Sequence, residues 1–393
     1  MLLAGLWLAT KPFDREQAGE PGPAMISPES GPSLTETTEG EAQRAELLLR
    51  RFHRENDITA LQAASGHALR ALELDPESWR AAYANGLVQD ARADYADART
   101  FFARMREIEP GNALGYVAAA ETYLAEGRLD LALHWLQLGQ AVTPAVFDFS
   151  GQLVLLNDCL EDYAAAQQWS DWLDRHITNQ PQIMALQARH HYLTGNFEAA
   201  IQTSNIALNL GLPDDWRSDA IFMRIKRDEA VARGTPLAGV DLFANHHPAL
   251  LEPRPRITPA NILQAVDLAL LFKMAGQSQR AGTLAAAAIE AYGQPLFVSG
   301  SARAWLLPAR AEALAVAGRH EAALDELERI IEVGWRIHWR WETEMNPNFS
   351  VLRDHSKFKV LVSRLENDMA EQRALSLAQS AAPPCPGCSE RAP

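Results

Sequence analysis

Proline stands at 76, 110 and 144, and alanine at 64, 98, 132, 166 and 200, all in one 34-residue register. Three residues before four of those alanines come Tyr95, Leu129, Tyr163 and Phe197, spaced by the same 34. Each of these aromatic or leucine positions follows a turn, such as Ala93-Asp94, Gly127-Arg128 or Gly195-Asn196. A repeat of this length holds two short helices and the turn between them, and neither helix can bury its apolar side alone. A core forms only when successive units stack.

The frame 113 to 146 shows how one unit is built. A first helix is expected from about Ala113 to Glu126, Gly127 breaks it, and a second runs from about Leu129 to Ala141 before Pro144 closes the unit. Where the two helices cross, small residues are needed, and Ala120 and Ala132 meet that need. Gly86 with Ala98, and Ala188 with Ala200, do the same in other frames. The fold class is therefore expected to be all-α, a right-handed superhelical solenoid of antiparallel helix pairs.

This pattern resembles the tetratricopeptide repeat. The frames are 45 to 78, 79 to 112, 113 to 146, 147 to 180 and 181 to 214, followed by 262 to 295 and 304 to 337. The first and fourth are degenerate, with Phe52 and Val154 where a small residue is expected. The organisation read from this is an apolar segment at 1 to 10, a disordered linker at 11 to 42, and five units over 43 to 214. A divergent helix pair around Ser218 to Arg233 and an insertion fill 215 to 261. Two more units follow at 262 to 337, then a cap at 338 to 376 and a disordered tail at 377 to 393. In the cap, Val351, Leu352, Phe358, Val360, Leu361 and Leu365 suit the sealing of an exposed apolar end. This ending also resembles the solenoid part of bacterial membrane-bound winged-helix regulators and adenylate cyclases.

At 393 residues the chain is long enough for a large core, and its formal net charge is -14. Direct nucleic-acid binding is not expected, because it rests on clustered cations that neutralise phosphates. The three cysteines, Cys159, Cys385 and Cys388, are too few for a disulfide framework. "CPGC" at 385 to 388 has redox or zinc spacing but no second thiol pair, and it reads as part of the tail. The adjacent pairs His190-His191 and His246-His247 cannot chelate one ion from a helix, since neighbours there point about 100° apart. No phosphate loop, no His-Glu-x-x-His and no Gly-x-Ser-x-Gly occurs. The expectation is no enzyme activity, no cofactor and no bound metal.

"MLLAGLWLAT" at the N-terminus is apolar but too short to span a bilayer, which takes about 20 residues. It reads either as an interfacial leader or as the last half of a transmembrane helix that tethers the solenoid, with an inner-membrane, periplasm-facing location favoured. "GWRIHWRWE" at 334 to 342 interleaves three tryptophans with basic residues and is expected to seal the end of the stack, the arginines covering the rings.

The resemblance implies a concave wall, made mainly by the first helix of each unit, that takes a protein or peptide partner. The second, fifth, ninth and twelfth residues of a frame would face it. They are Arg80, Tyr83, Leu87 and Asp90; Leu114, Val117, Glu121 and Leu124; Asp148, Leu155 and Asp158; and Gln182, Arg189 and Tyr192. Asp90, Glu121 and Asp158 would favour a basic ligand. Groove binding predicts that Arg189→Glu and Tyr83→Ala weaken partner capture and leave stability unchanged. The alternative function is the sensory half of a truncated membrane-bound regulator or cyclase.

Overall fold

A computed structural model describes residues 37–142, 146–177, 180–211 and 215–381. Among them there is no strand, and the helices come in pairs. The first five pairs are α1 (Thr38–Glu55) with α2 (Ile58–Leu74), α3 (Trp79–Ala91) with α4 (Tyr95–Ile108), α5 (Leu114–Ala125) with α6 (Leu129–Val142), α7 (Val146–Cys159) with α8 (Tyr163–His176), and α9 (Pro181–Leu193) with α10 (Phe197–Asn209).

The turn inside each unit needs one left-handed residue, and Ala93, Gly127, Glu161 and Gly195 provide it at 34-residue intervals. Glycine takes that conformation without the Cβ penalty that alanine and glutamate carry. The second helix then starts on a side-chain cap in four units, Asp57 accepting from Thr59 N and Ala60 N in the first. In the others, Asp94, Asp162 and Asn196 each accept a hydrogen bond from the backbone N–H three residues on. The crossing alanines at 64, 98, 132, 166 and 200 are all fully buried. A methyl group on Gly86 would stand 2.7 Å from Phe102 Cδ1, so even alanine there would force the Phe102 ring to move.

Several boundaries differ from the sequence expectation. α1 begins at Thr38, inside the expected linker, because Thr37 caps it by accepting from Gly40 N at 3.1 Å. Ser218 to Arg233 is not a helix pair. Ser218 to Ala232 lies in one helix, α11 (Trp216–Ala232), with Arg233 as its C-cap, and its partner is α12 (Pro236–His246), a sixth pair. α13 (Ile262–Met274) pairs with α14 (Ser278–Tyr292). In the last unit the first helix is split at Pro308 into α15 (Arg303–Leu306) and α16 (Ala309–Val316), and α17 (His320–Glu332) completes it.

From Gly334 the chain becomes a strap, residues 334–352, with a π-turn at Trp341–Met345 and a 3-10 turn at Pro347–Leu352. It ends in α18 (Ser356–Ala381), which extends into the expected disordered tail. Leu352, Phe358, Leu361 and Leu365 are buried as a cap requires, whereas Val351 and Val360 are exposed. α18 packs on α17 and also on α6 of the third unit. Gln372 Nε2 donates to Gly127 O (2.9 Å), and its Oε1 accepts from Leu129 N (2.7 Å). The end of the array therefore folds back onto its middle.

Candidate functional site

The inner wall is covered by the chain's own C-terminal third. Asp90 is buried and its Oδ2 accepts from Ser301 N at 3.0 Å. Arg189 is buried, with Nη1 2.6 Å from His338 Nε2 and Nη2 3.1 Å from Asp158 Oδ2. Asp158 also takes His190 Nδ1 at 2.7 Å. Tyr192 is half-buried, its ring 5.2 Å from Trp341 and 5.0 Å from Phe197. The remaining positions are no more open. Tyr83, Leu87, Leu114, Val117, Leu124 and Leu155 are core residues, and burial raises the Tyr83 hydroxyl pKa well above its usual range. Glu121 is buried and accepts from Gln152 Nε2 at 3.1 Å. Arg80 is half-buried and pairs with Glu46 at 3.1 Å, and Gln182 is half-buried. The side chain of Asp148 lies outside the described residues.

Most of these positions are buried inside the chain, while Arg80, Gln182 and Tyr192 keep part of their surface exposed. The preference for a basic ligand loses its ground, because the carboxylates of Asp90, Glu121 and Asp158 already have partners within the chain. Trp335, Trp339 and Trp341 do seal apolar surface, and Arg340 lies over the Trp339 ring at 4.4 Å. Trp339 and Trp341 do so on the inner wall, and not at the end of the stack. His338 N donates to Cys159 Sγ (3.3 Å) and Trp339 Nε1 to Cys159 O (3.2 Å), both on the fourth unit.

A second cluster holds the strap further along. Arg224 reaches Glu312 at 2.7 Å, Asp267 at 3.4 Å and Glu342. Arg227 pairs with Asp228 at 2.7 Å and with Asp267, and bonds Asn346 Oδ1 at 3.2 Å. Asn348 Nδ2 donates to both Asp267 (3.0 Å) and Glu312 (2.7 Å), and Trp341 Nε1 donates to Asp228 (3.2 Å). Buried charges are tolerated only when paired in this way. Sequence reasoning did not find this cluster, since nothing in "RIKRDE" by itself marks Arg224 and Arg227 as buried. A signal did exist for part of the wall. The register of second, fifth, ninth and twelfth residues, carried into frames 262 to 295 and 304 to 337, finds Leu270, Lys273, Trp305, Glu312 and Ala315.

Among the described residues, a cleft of about 460 Å³ lies beside the strap. It lies where the first helices of successive units end. Tyr192, Val231, Leu270, Met274 and Val316 form one side, and Met345, Pro347, Val351 and Arg353 the other. Met274 is 43% and Val351 51% exposed, so apolar surface is left uncovered there. Its polar groups are largely engaged. Lys273 Nζ donates to Val316 O (2.7 Å), Arg353 Nη2 to Asn346 O (3.2 Å), and Asp228 accepts from Arg227 and Trp341. By contrast, Val117, Glu121 and Leu124 line a space of about 10 Å³, room for one water.

No family model and no curated protein matches the chain. Among solved structures it is similar to one titled as the functional characterization of PilF of Pseudomonas aeruginosa, at 18% identity and TM-score 0.41 over 54% of this chain and 92% of that one. A tetratricopeptide repeat protein of Parabacteroides merdae is similar at 18% identity and TM-score 0.45, over 64% of this chain and 94% of that one. The P58(IPK) repeat domain follows at 12% identity and TM-score 0.24, covering 87% and 100%. At these scores the likenesses carry no argument of their own. The 34-residue helix pairs do. The fold is tetratricopeptide-like. Nothing among these likenesses supports the resemblance to membrane-bound regulators or adenylate cyclases.

Among the described residues no helix is long and apolar enough to cross a membrane, and no group of three or more His, Cys, Asp or Glu is placed to hold a metal. The apolar decamer and the "CPGC" thiols lie outside the described residues. His190 is buried between Asp158 and Gln167, and His247 Nε2 lies 3.1 Å from Asp219. Burial raises the Cys159 thiol to about 11, the opposite of what a nucleophile needs.

Proposed function

We propose that the protein is a non-catalytic helical scaffold that binds an apolar segment of a partner protein in the cleft between Tyr192, Met274 and Val351. The observation that carries this is the uncovered apolar cleft, beside an inner wall whose Asp90, Glu121, Asp158 and Arg189 are buried within the chain. Its volume is in the range of sites that hold several side chains, and its walls are helix ends fixed by packing. Of the positions first expected to face a partner, Tyr192 is the one that lines it. Lys273 and Arg353 at its edge make a basic segment a poor fit, and the Leu270, Met274, Val316 and Val351 walls suit an apolar one.

A photo-crosslinking amino acid at Met274 tests the site in cells. Met274→Asp and Val351→Asp are expected to abolish recovery of a binding partner while leaving the thermal midpoint within about 1 °C, because surface changes are within about 0.5 kcal/mol. Val360→Asp, at a position 60% exposed on α18 and away from the cleft, is the control and is expected to retain the partner. If the cleft variants recover the same partner as wild type, the site is wrong.

A further inference from the structure

His338 lies where the strap first meets the inner wall. Its Nε2 is 2.6 Å from Arg189 Nη1, and a guanidinium nitrogen can only donate. The ring nitrogen must therefore offer its lone pair, which makes His338 neutral with its proton on Nδ1. The other elements around it leave no carboxylate free to receive a second proton's charge. On α7, Asp158 is taken by Arg189 and His190, and Cys159 Sγ accepts the His338 backbone N–H. On α11, Arg224 is surrounded by Asp267, Glu312 and Glu342. From α15 the Trp305 ring stands edge-on at 4.6 Å, and Trp341 lies at 6.1 Å on the strap's own turn.

We propose that His338 is an acid-sensitive latch, which fastens the strap to Arg189 when neutral and releases it when protonated. Protonation turns the acceptor into a donor facing another donor, and sets two cations against each other in a buried site. Burial itself pushes the His338 pKa well below the usual histidine value, and Arg189 and then Arg224 push it further. A histidine depressed in the folded state contributes its full stability above its unfolded pKa of about 6.5 and loses it as pH falls below that. Each pH unit below about 6.5 then shifts the opening equilibrium about tenfold per histidine released. His53, buried against the 300 region with a pKa lowered to about 3 by burial, adds its own proton if the same opening exposes it. The test must therefore isolate His338.

Native-state hydrogen exchange over residues 335–345 of the full chain does so, comparing wild type with His338→Gln at about pH 7 and about pH 5. Glutamine keeps an acceptor for Arg189 but does not titrate. The wild-type opening constant is expected to rise about thirtyfold more than that of the variant over this range. Equal pH dependence in the two proteins overturns the latch. A second readout uses wild type alone, should the variant fail to fold. The His338 ring, followed by NMR, is expected to stay a neutral Nδ1–H tautomer down to about pH 5, and titration near the ordinary value of about 6.5 overturns the proposal.

Discussion

Gly127 and Gly334 lie back to back, the turn of the third unit against the start of the strap, both in the left-handed region at φ 78° and 94°. A Cβ on Gly127 would come within 2.8 Å of Gly334 Cα and closer still to its carbonyl. Gly318 has the same φ of 78° with nothing near it. Gly318→Ala is therefore expected to cost about 1 kcal/mol, the left-handed penalty alone. Gly127→Ala is expected to cost that plus a further amount of about 1–3 kcal/mol for overpacking against backbone. Urea midpoints at unchanged slope measure the difference, and equal losses would show that the two chain segments are not in contact.

Arg189 is a structural anchor in this fold, so the expectation that Arg189→Glu spares stability does not stand. Replacing it sets two carboxylates together in a buried site and strips His338 of its donor. Breaking a buried pair costs about 3–5 kcal/mol. Chemical denaturation of Arg189→Met and Arg189→Glu should show losses of that order, the glutamate variant the larger. A loss below about 1 kcal/mol would contradict the buried placement.

Asp90 carries a pH signature of the opposite sign to His338. Burial raises its pKa to about 6, so its charged form is disfavoured in the folded state. The folded protein then binds this proton more tightly than the unfolded one, and stability from this group falls as pH rises from about 4 to about 6. Asp90→Asn removes that dependence. Its stability relative to wild type should improve by an amount on the order of 3 kcal/mol between about pH 4 and pH 7. A constant offset across the range would refute the shift.

Cys159 reports on the strap, because His338 N–H and Trp339 Nε1 both bond to it. In a Cys385→Ser, Cys388→Ser background its reaction with a thiol reagent near pH 8 should be at least about 100-fold slower than that of an exposed cysteine, since a thiol held near 11 is scarcely ionised. Trp339→Ala should restore much of the rate by opening the cover. Fast labelling of the wild type would mean that the inner wall is open.

The helix pairs were legible because their determinants are local. Ala98, Ala132 and Ala200 mark crossings, Gly127 and Gly195 mark turns, and Asp94, Asp162 and Asn196 mark helix starts. The site was legible only as a set of wall positions. Asp90, Asp158 and Arg189 were found, but their role was not, because an ionisable residue pointing inward looks the same in sequence whether it meets solvent, a partner or the chain's own end. Arg224 and Arg227 show the converse, as a charge run that belongs inside.

The 34-residue spacing by itself determined the all-α architecture, since amphipathic helices of that length can hide their apolar sides only against copies of themselves. Whether the wall they form stays open depends on the small rotation each unit adds to the next, summed over the whole array. The tertiary structure decided that, through contacts such as Asp90 with Ser301, Arg189 with His338 and Gly127 with Gln372, across 211, 149 and 245 residues of chain. No local pattern encodes such pairs, because each is favourable only after all the intervening helices have been placed.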